Sequence, residues 1–226
     1  MVDIADRPVK CSYRSRQNIV NMSSPLWPYR TPGIPDRLFE RLPGIPMSQR
    51  ELRLLLISHL RLKEDSVFWD IGAGTGTIPV EVGLLCPDSR VVAVERDDEV
   101  ADLIRRNCDR FQVDNVTVVE GSAPECLSDL SKAAAYQNPD CICIEGGRNM
   151  KAILKEAWHC LRPEGRMVAT AYSLESLYIV SEQMADLQAR NVEVVQSAIN
   201  RLETRGSNQV FVAVDPIFIL SGEKID

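Results

Sequence analysis

Strand-like and helix-like apolar patterns alternate along most of this chain, and that alternation constrains the fold more than any other feature of the sequence. Each of five short apolar segments precedes a stretch with helical periodicity. The segments span residues 67–71, 90–95, 116–120, 140–144 and 166–171, and the helical stretches span 76–86, 97–111, 124–130, 149–161 and 174–190. Strands that alternate with helices form a parallel sheet covered on both faces. The pattern therefore predicts an α/β fold with Rossmann-like topology.

Toward the end of the chain, apolar residues alternate with polar ones at a period of two, as is typical of strands. Residues 192–199 and 209–220 both look like strands, and no helical stretch separates them. A parallel connection needs a crossover, so these two segments are expected to pair as an antiparallel hairpin. The predicted sheet has seven strands, is mostly parallel and ends in this C-terminal hairpin. An N-terminal helix is also expected after Ser48, because Glu51 follows at the spacing of a capping box.

The first 30 residues differ from the rest in charge and pattern. They contain five Lys or Arg and two Asp or Glu, a net charge of +3, whereas the other 196 residues carry −9. Their periodicity is poor. We expect residues 1–30 to form a basic arm, flexible or strap-like, and residues 31–226 to form the catalytic domain.

The first predicted strand ends in an acid and a glycine-rich turn. Asp70 precedes Gly72, Ala73, Gly74, Thr75 and Gly76, and a helix follows. Glycines permit a tight turn and close backbone approach to a ligand, and the helix start offers free N–H groups. A nicotinamide-binding turn would need glycine at Thr77, and a pyrophosphate would be repelled by Asp70. Asp70 would instead attract a ligand with an ammonium group, such as S-adenosylmethionine. The turn resembles the glycine-rich turn of class I S-adenosylmethionine-dependent methyltransferases.

Three later strand ends complete the candidate site, because ligands bind at the carboxyl ends of parallel strands. Glu95 is placed to accept hydrogen bonds from the ribose hydroxyls, while Asp97 is the better helix cap. The side chain of Ser122 serves equally as an adenine contact or a helix cap, and the Ala123 backbone is expected beside the adenine. Gly146 and Gly147 leave room for a bulky substrate beside the methyl group of the cofactor. They are the candidate catalytic positions, and their expected role is only to position the substrate.

Composition argues against several classes of protein. The net charge of −6 disfavours a general nucleic-acid binder. The seven cysteines include no C-x-x-C pair, and neither histidine has ligand spacing, so no metal site is expected. Cys141 and Cys143 are expected in the core. No apolar run could span a bilayer and no secretory signal is visible. Reduced cysteines then favour a cytoplasmic protein.

Several segments together resemble the cobalt-precorrin C15-methyltransferase (decarboxylating) family of cobalamin biosynthesis. These are residues 34–36, 44–53, 70–76, 121–125, 145–147 and 215–220, within a match over about 32–222. Ser48, Ser122 and Asp215 stand where the family more often has Thr, Asp and Asn. The resemblance implies methyl transfer from S-adenosylmethionine to C15 of a tetrapyrrole with loss of carbon dioxide from the C12 acetate. It also implies a homo-oligomer, often a tetramer.

The resemblance further implies that Ser48, Gly72–Gly76, Glu95 and Ala123 lie beside the cofactor. A substrate with many carboxylates needs cations, and guanidinium groups bind carboxylates in two-pronged fashion. The candidates are Arg37, Arg50, Arg148, Arg201 and Arg205, with Arg148 favoured because it follows Gly147. Two alternatives remain open: a methyltransferase for RNA or another small molecule, and a non-catalytic S-adenosylmethionine-binding subunit.

Overall fold

The structure, a computed structural model, describes residues 25–225 of the chain. Six helices run α1 Arg50–Leu60, α2 Thr77–Leu85, α3 Asp98–Phe111, α4 Leu127–Leu130, α5 Met150–Cys160 and α6 Leu174–Asp186, and a 3-10 turn spans Asp36–Leu38. The strands are β1 Val67–Ile71, β2 Arg90–Glu95, β3 Val116–Glu120, β4 Cys141–Ile144, β5 Arg166–Ala171, β6 Arg190–Ser197, β7 Asn200–Arg205, β8 Asn208–Ala213 and β9 Ile217–Glu223. Most of the predicted arm, residues 1–24, lies outside the described residues.

The main sheet has seven strands in the order β3-β2-β1-β4-β5-β9-β6. Strands β1 to β5 are parallel, and β9 is antiparallel to both of its neighbours, β5 and β6. The predicted fold class is confirmed, including the antiparallel pair near the C terminus. From β1 the chain continues to β2 on one side, while β4 lies on the other. This reversal opens a crevice at the carboxyl ends of β1 and β4.

Helices cover both faces of the sheet, as the alternation predicts. One face packs against α1, α2 and α3, and the other against α4, α5 and α6. All five residues of β1 are buried, as expected for a central parallel strand. Cys141 and Cys143 lie in the core on the α1 side, which confirms their predicted place. The functional crevice therefore rests on a rigid, two-sided core.

The C-terminal third departs from the predicted boundaries. The helix expected over 174–190 ends at Asp186, and a left-handed residue, Gln188 (φ 57°), turns the chain into β6. The strand expected over 209–220 is two strands, because Pro216 lacks the N–H that a ladder needs. Strand β7 was not expected at all. It pairs with β8 to form a separate antiparallel hairpin.

The capping box expected at Ser48 is wrong. Helix α1 begins at Arg50 with Gln49 as its N-cap, and no side chain caps it. Ser48 instead donates its hydroxyl hydrogen to Glu145, and Glu51 pairs with Arg201. Both side chains of the predicted capping box therefore bind residues that are distant in sequence instead of capping α1.

Two further findings concern residues 25–225 as a whole. No helix in this range is long and apolar enough to cross a bilayer. The same residues contain no cluster of three or more His, Cys, Asp or Glu that could hold a metal ion.

Candidate active site

Two adjoining cavities open at the carboxyl ends of the central strands. The larger has a volume of about 600 Å³ and lies over the ends of β1, β2, β3 and β4. The smaller, of about 300 Å³, lies between the segment before α1 and the strands at the C terminus. Both are lined by Pro46, Gly72, Gly74 and Glu145. An elongated ligand bound over the glycine turn would therefore reach into both cavities.

The glycine turn forms the floor shared by the two cavities. Gly74 has a left-handed backbone (φ 52°), and its N–H donates to Glu95 Oε2 at 3.1 Å. A side chain there would meet the Pro46 carbonyl oxygen at 3.4 Å, so the turn and the segment above it approach closely. Thr75 donates its hydroxyl hydrogen to the same carbonyl at 3.2 Å. Ala73 and Thr75 line the smaller cavity.

Gly76 has a different role from the other glycines of the turn. It also has a left-handed backbone (φ 76°), but a Cβ atom there would lie 2.7 Å from the Ile104 side chain. Gly76 is not among the described residues that line either cavity. Its lack of a side chain instead allows α3 to pack against the start of α2.

Asp70 lies beneath the turn as a buried carboxyl group without a charged partner. Its relative exposure is 0%, and within residues 25–225 no cation pairs with either oxygen; the thiol of Cys143 is a weak neighbouring donor. Burial, reinforced by the nearby carboxylates of Glu145 and Glu95, raises the pKa of Asp70 well above its ordinary value. Burying an unpaired carboxylate is costly unless a cation binds it. The ammonium group of S-adenosylmethionine fits this requirement.

Glu95, at the end of β2, faces the larger cavity. One carboxylate oxygen accepts from Gly74, and the other accepts from the Arg96 and Asp97 amides at 2.8 and 3.2 Å. These bonds fix the carboxylate at the cavity wall, where a ribose would lie. Asp97 caps α3 by accepting from the Val100 amide at 3.2 Å, as predicted. Ser122 and Ala123, after β3, line the same cavity.

Glu145 follows β4 and forms the wall between the two cavities. It accepts a hydrogen bond from the Ser48 hydroxyl. Burial raises the pKa of Glu145 above its ordinary value, although the Ser48 hydrogen bond and the nearby Arg53 charge oppose the shift. Gly146, Gly147 and Arg148 continue along the larger cavity. The sequence analysis identified this turn but did not assign a role to Glu145.

A fully buried arginine holds Ser48 in place. Arg53 donates to Glu81 at 2.7 Å, to Asp36 at 2.7 Å and to the backbone carbonyls of Ser48 and Ile34, each at 2.5 Å. Both Arg53 and Glu81 have fully buried side chains. This centre was not anticipated, because its members lie far apart in sequence. It attaches the segment before α1 to α1 and α2, and so shapes the roof of the site.

The predicted substrate arginines fall into two groups. Arg148 lines the larger cavity and has no ion pair with any residue that the structure describes. Arg201, on β7, donates to Glu51 and to Asp36 at 3.0 Å, and Arg205 pairs with Glu203 at 3.4 Å. Arg50 pairs with Glu51 at 3.0 Å. Of the predicted arginines, including Arg37, only Arg148 lines either cavity within residues 25–225.

The structure thus brings together most of the predicted cofactor residues. The two cavities are lined by Ser48, Gly72, Ala73, Gly74, Thr75, Glu95, Ser122 and Ala123. Asp70 lies buried beneath the turn and lines neither cavity. The sheet order, the glycine turn at the end of β1 and the acid beneath it define a class I S-adenosylmethionine-dependent methyltransferase.

Comparison with known proteins narrows the class to a family. A family model described as a precorrin methyltransferase domain matches residues 42–224. The chain belongs to this precorrin methyltransferase family. It is 40% identical over 197 residues to a probable cobalt-precorrin-6B C(15)-methyltransferase (decarboxylating) of Pyrobaculum calidifontis, covering 86% of this chain and 97% of the relative. A relative of the same name from Saccharolobus solfataricus is 37% identical and covers 88% of this chain and 98% of its own length.

Solved structures agree with this family. A precorrin-6Y C5,15-methyltransferase of Geobacter metallireducens superposes with a TM-score of 0.77 at 32% identity, covering 85% of this chain and 98% of that one. The precorrin-8W decarboxylase of Methanobacterium thermoautotrophicum gives a TM-score of 0.75 at 28% identity, covering 84% and 98%. A tRNA (m1A58) methyltransferase of Aquifex aeolicus, at 15% identity and a TM-score of 0.64, shares the fold alone; it covers 83% of this chain and 73% of its own.

Proposed function

We propose that this chain methylates C15 of a precorrin or cobalt-precorrin and removes carbon dioxide from its C12 acetate, as a step of cobalamin biosynthesis. One observation carries the proposal above the others. The relatives named as decarboxylating C(15)-methyltransferases align with this chain over 97% and 98% of their own length, so the similarity extends over nearly the whole of each relative. Asp70, which has no charged partner, and the two joined cavities supply a site for a cationic cofactor beside a bulky substrate.

Each cofactor group has a residue of matching chemistry. Asp70 would bind the ammonium, and the Gly72–Gly76 turn with Ser48 would surround the methionine end. Glu95 would accept hydrogen bonds from the ribose, and Ser122 and Ala123 would lie along the adenine. S-adenosylmethionine, when bound, supplies an activated methyl group on its sulfonium. The protein then has mainly to align the substrate carbon and exclude water.

The substrate would lie over Gly146 and Gly147. A Cβ atom at Gly146 would have no neighbour within 4 Å, so this part of the wall is open. Arg148 would bind a substrate carboxylate in the two-pronged fashion of guanidinium groups. Arg201 and Arg205 would contribute only through rearrangement of their present ion pairs.

A single-turnover incubation with S-adenosylmethionine and cobalt-precorrin-6B, followed by mass spectrometry, tests the proposal. We expect a product heavier by one methyl group and lighter by one carbon dioxide. A methyl gain alone would overturn the decarboxylating part, and no methylation despite tight cofactor binding would overturn the substrate assignment. Asp70→Asn serves as a comparison and should form less product at limiting S-adenosylmethionine, because it removes the ammonium contact.

The assembly is proposed to be a homo-oligomer, a tetramer by family resemblance. The β7–β8 hairpin supports this idea, because Leu202 and Phe211 lie opposite each other and are 53% and 75% exposed. We infer that this apolar pair is part of the surface through which subunits contact each other. Light scattering on the wild type and Phe211→Glu tests it. We expect a tetramer in the first and smaller species in the second; a monomeric wild type would overturn the proposal.

Two further parts of the proposal concern organisation and location. We infer that residues 31–226 form the catalytic domain and that residues 1–30 are an accessory arm. Deleting residues 1–24 should leave single-turnover product formation intact.

The six cysteines of the described part are all free thiols, which fits a reducing cytoplasm. Cell fractionation with antibody detection would test that location.

A further inference from the structure

Glu145 occupies a position in the site that cofactor binding does not explain. It is one of four residues lining both cavities, and it is the only carboxylate among those four. The two glycines that follow it leave the adjacent wall open. Its carboxyl group therefore lies at the boundary between the cofactor turn and the space available to a substrate.

The surroundings of Glu145 favour the protonated form. Burial raises its pKa, and the carboxylate of Asp70 lies close enough to interact with it. The Ser48 hydrogen bond and the Arg53 charge act in the opposite direction, but burial has the larger effect on this pKa. With a pKa of about 7, Glu145 can both hold and release a proton near neutral pH, beside the space available to a substrate.

The decarboxylation requires a proton at carbon. Addition of the methyl group at C15 leaves the conjugated ring system cationic. When the bond between the acetate methylene and its carboxylate carbon breaks, carbon dioxide leaves and the electron pair enters the ring. The resulting exocyclic methylene must then gain a proton to become the methyl group at C12. A ring nitrogen loses a proton in turn, so charge and atoms balance.

We propose that Glu145 donates this proton to the methylene carbon and that Ser48 positions it, an inference that rests on the proposed function. The carboxylate left on Glu145 regains a proton from the ring or from solvent. General acid catalysis of this kind contributes about 10²- to 10⁴-fold to a rate.

Other titratable groups around the smaller cavity are less suited to the task. Tyr172 lines it, but burial and the Glu145 charge raise the pKa of its phenol, which makes it a weaker acid than Glu145. Asp215 also lines it but is exposed to solvent. Cys143 lies behind Asp70 and Glu145 in the core, where burial raises the pKa of its thiol. Among the titratable groups that line the smaller cavity within residues 25–225, Glu145 is the one that combines access to both cavities with a pKa raised toward neutrality.

Single-turnover reactions of wild type and Glu145→Gln in deuterium oxide test the inference, with cobalt-precorrin-6B and S-adenosylmethionine as reactants. After exchange back into water, the wild-type product should keep one carbon-bound deuterium. The Gln variant should still gain the methyl group within about tenfold of the wild-type rate. Formation of the deuterated, decarboxylated product should slow by about 100-fold. Methylated material without carbon-bound deuterium should accumulate.

The controls separate a chemical role from a structural one. Glu145→Asp should restore part of the deuterated product, because it keeps a carboxyl group. Glu120→Gln, at the end of β3 and outside both cavities, should behave as wild type. Equal slowing of methylation and protonation in Glu145→Gln, or deuterated product at the wild-type rate, would overturn the role of Glu145. An absence of methylation in the wild type would instead overturn the proposed function.

Discussion

Ser48 and Glu145 lie 97 positions apart in the chain, and a hydrogen bond from the Ser48 hydroxyl to the Glu145 carboxylate joins them across the active site. The bond connects the segment before α1 to the end of β4, so it links the roof of the crevice to its wall. It also explains why the local capping motif is absent, because the hydroxyl expected to cap α1 is engaged elsewhere. The roof and the candidate proton donor are therefore parts of one structure.

Replacing Asp70 with Asn should stabilise the cofactor-free protein while weakening cofactor binding. The folded-state pKa of Asp70 is raised, so the folded protein holds a proton that the unfolded chain loses once pH exceeds its ordinary value near 3.8. The free energy of unfolding then falls as pH rises from the ordinary pKa of an aspartate to the raised pKa of Asp70 in the folded protein, by about 1.4 kcal/mol per pH unit. Asn removes this loss, and urea unfolding at several pH values would measure it.

The same variant should bind S-adenosylmethionine about 10- to 100-fold more weakly, since a hydrogen bond to a charged group contributes about 1.5–3 kcal/mol. Asp98→Asn, in the exposed first turn of α3, is the matched control and should change neither property. Unchanged affinity in Asp70→Asn, measured by calorimetry, would contradict the assignment of Asp70 to the ammonium.

Ser48→Ala should move the pH dependence of the protonation step upward. The Ser48 hydrogen bond lowers the pKa of Glu145, so its removal allows that pKa to rise further. A general acid works in its protonated form, so the rate falls above its pKa, and the fall should begin at a higher pH in the variant. Asp70, Glu95, Arg53 and Tyr172 also act on this group or its neighbours and are retained. Single turnovers at saturating cofactor would record the profile; a profile unmoved or shifted downward would argue against the linkage.

Arg53→Met should be among the most destabilising substitutions in the domain. It leaves the buried Glu81 carboxylate without its charged partner and removes the donors to Ile34 and Ser48. Breaking a buried ion pair from one side costs about 3–5 kcal/mol. Arg105→Ala, which breaks exposed pairs with Asp102 and Glu120, should cost less than about 1 kcal/mol. Denaturant unfolding of both variants gives the comparison, and similar losses in the two would refute it.

The central sheet is the part of the fold that the sequence predicts best. Strands β1, β2, β3 and β5 have the predicted bounds, because their apolar runs end where the chain leaves a sheet covered on both faces. The glycine turn is equally local, since the acid and glycines that define it lie within seven residues. Asp97 caps its helix as predicted for the same reason.

Long-range partners explain what the sequence did not predict. Arg53 and Glu81 lie 28 positions apart and look like ordinary helix-surface charges, although both are buried. Five of the six residues of β7 are exposed, so this strand has no alternation of buried and exposed residues from which it could have been predicted. The role of Glu145 depends on its burial and on its hydrogen bond with Ser48, and the hydrophobic periodicity of the sequence predicts neither.

Gly76→Ala should destabilise the protein more than Gly44→Ala. Both glycines have left-handed backbones, with φ of 76° and 78°, so both variants incur similar strain. Only at Gly76 would the new methyl group meet Ile104, at 2.7 Å, whereas at Gly44 it would meet nothing within 4 Å. Overpacking of this kind adds about 1–3 kcal/mol. Thermal unfolding of the cofactor-free variants would measure the difference, and equal losses would contradict the packing role of Gly76.

Arg148→Ala should weaken substrate binding more than Arg201→Ala does. Arg148 lines the larger cavity and has no ion pair within the described part of the chain, so its guanidinium is available to a substrate carboxylate. Arg201 is held by Glu51 and Asp36. Since a charge-assisted hydrogen bond contributes about 1.5–3 kcal/mol, the substrate KM should rise about 10- to 100-fold in Arg148→Ala, with kcat little changed. Arg201→Ala should leave KM within about threefold, because its present partners lie outside the cavities. Steady-state kinetics with cobalt-precorrin-6B would show the split, and a larger KM effect at Arg201 would mean that the hairpin releases its arginine to the substrate.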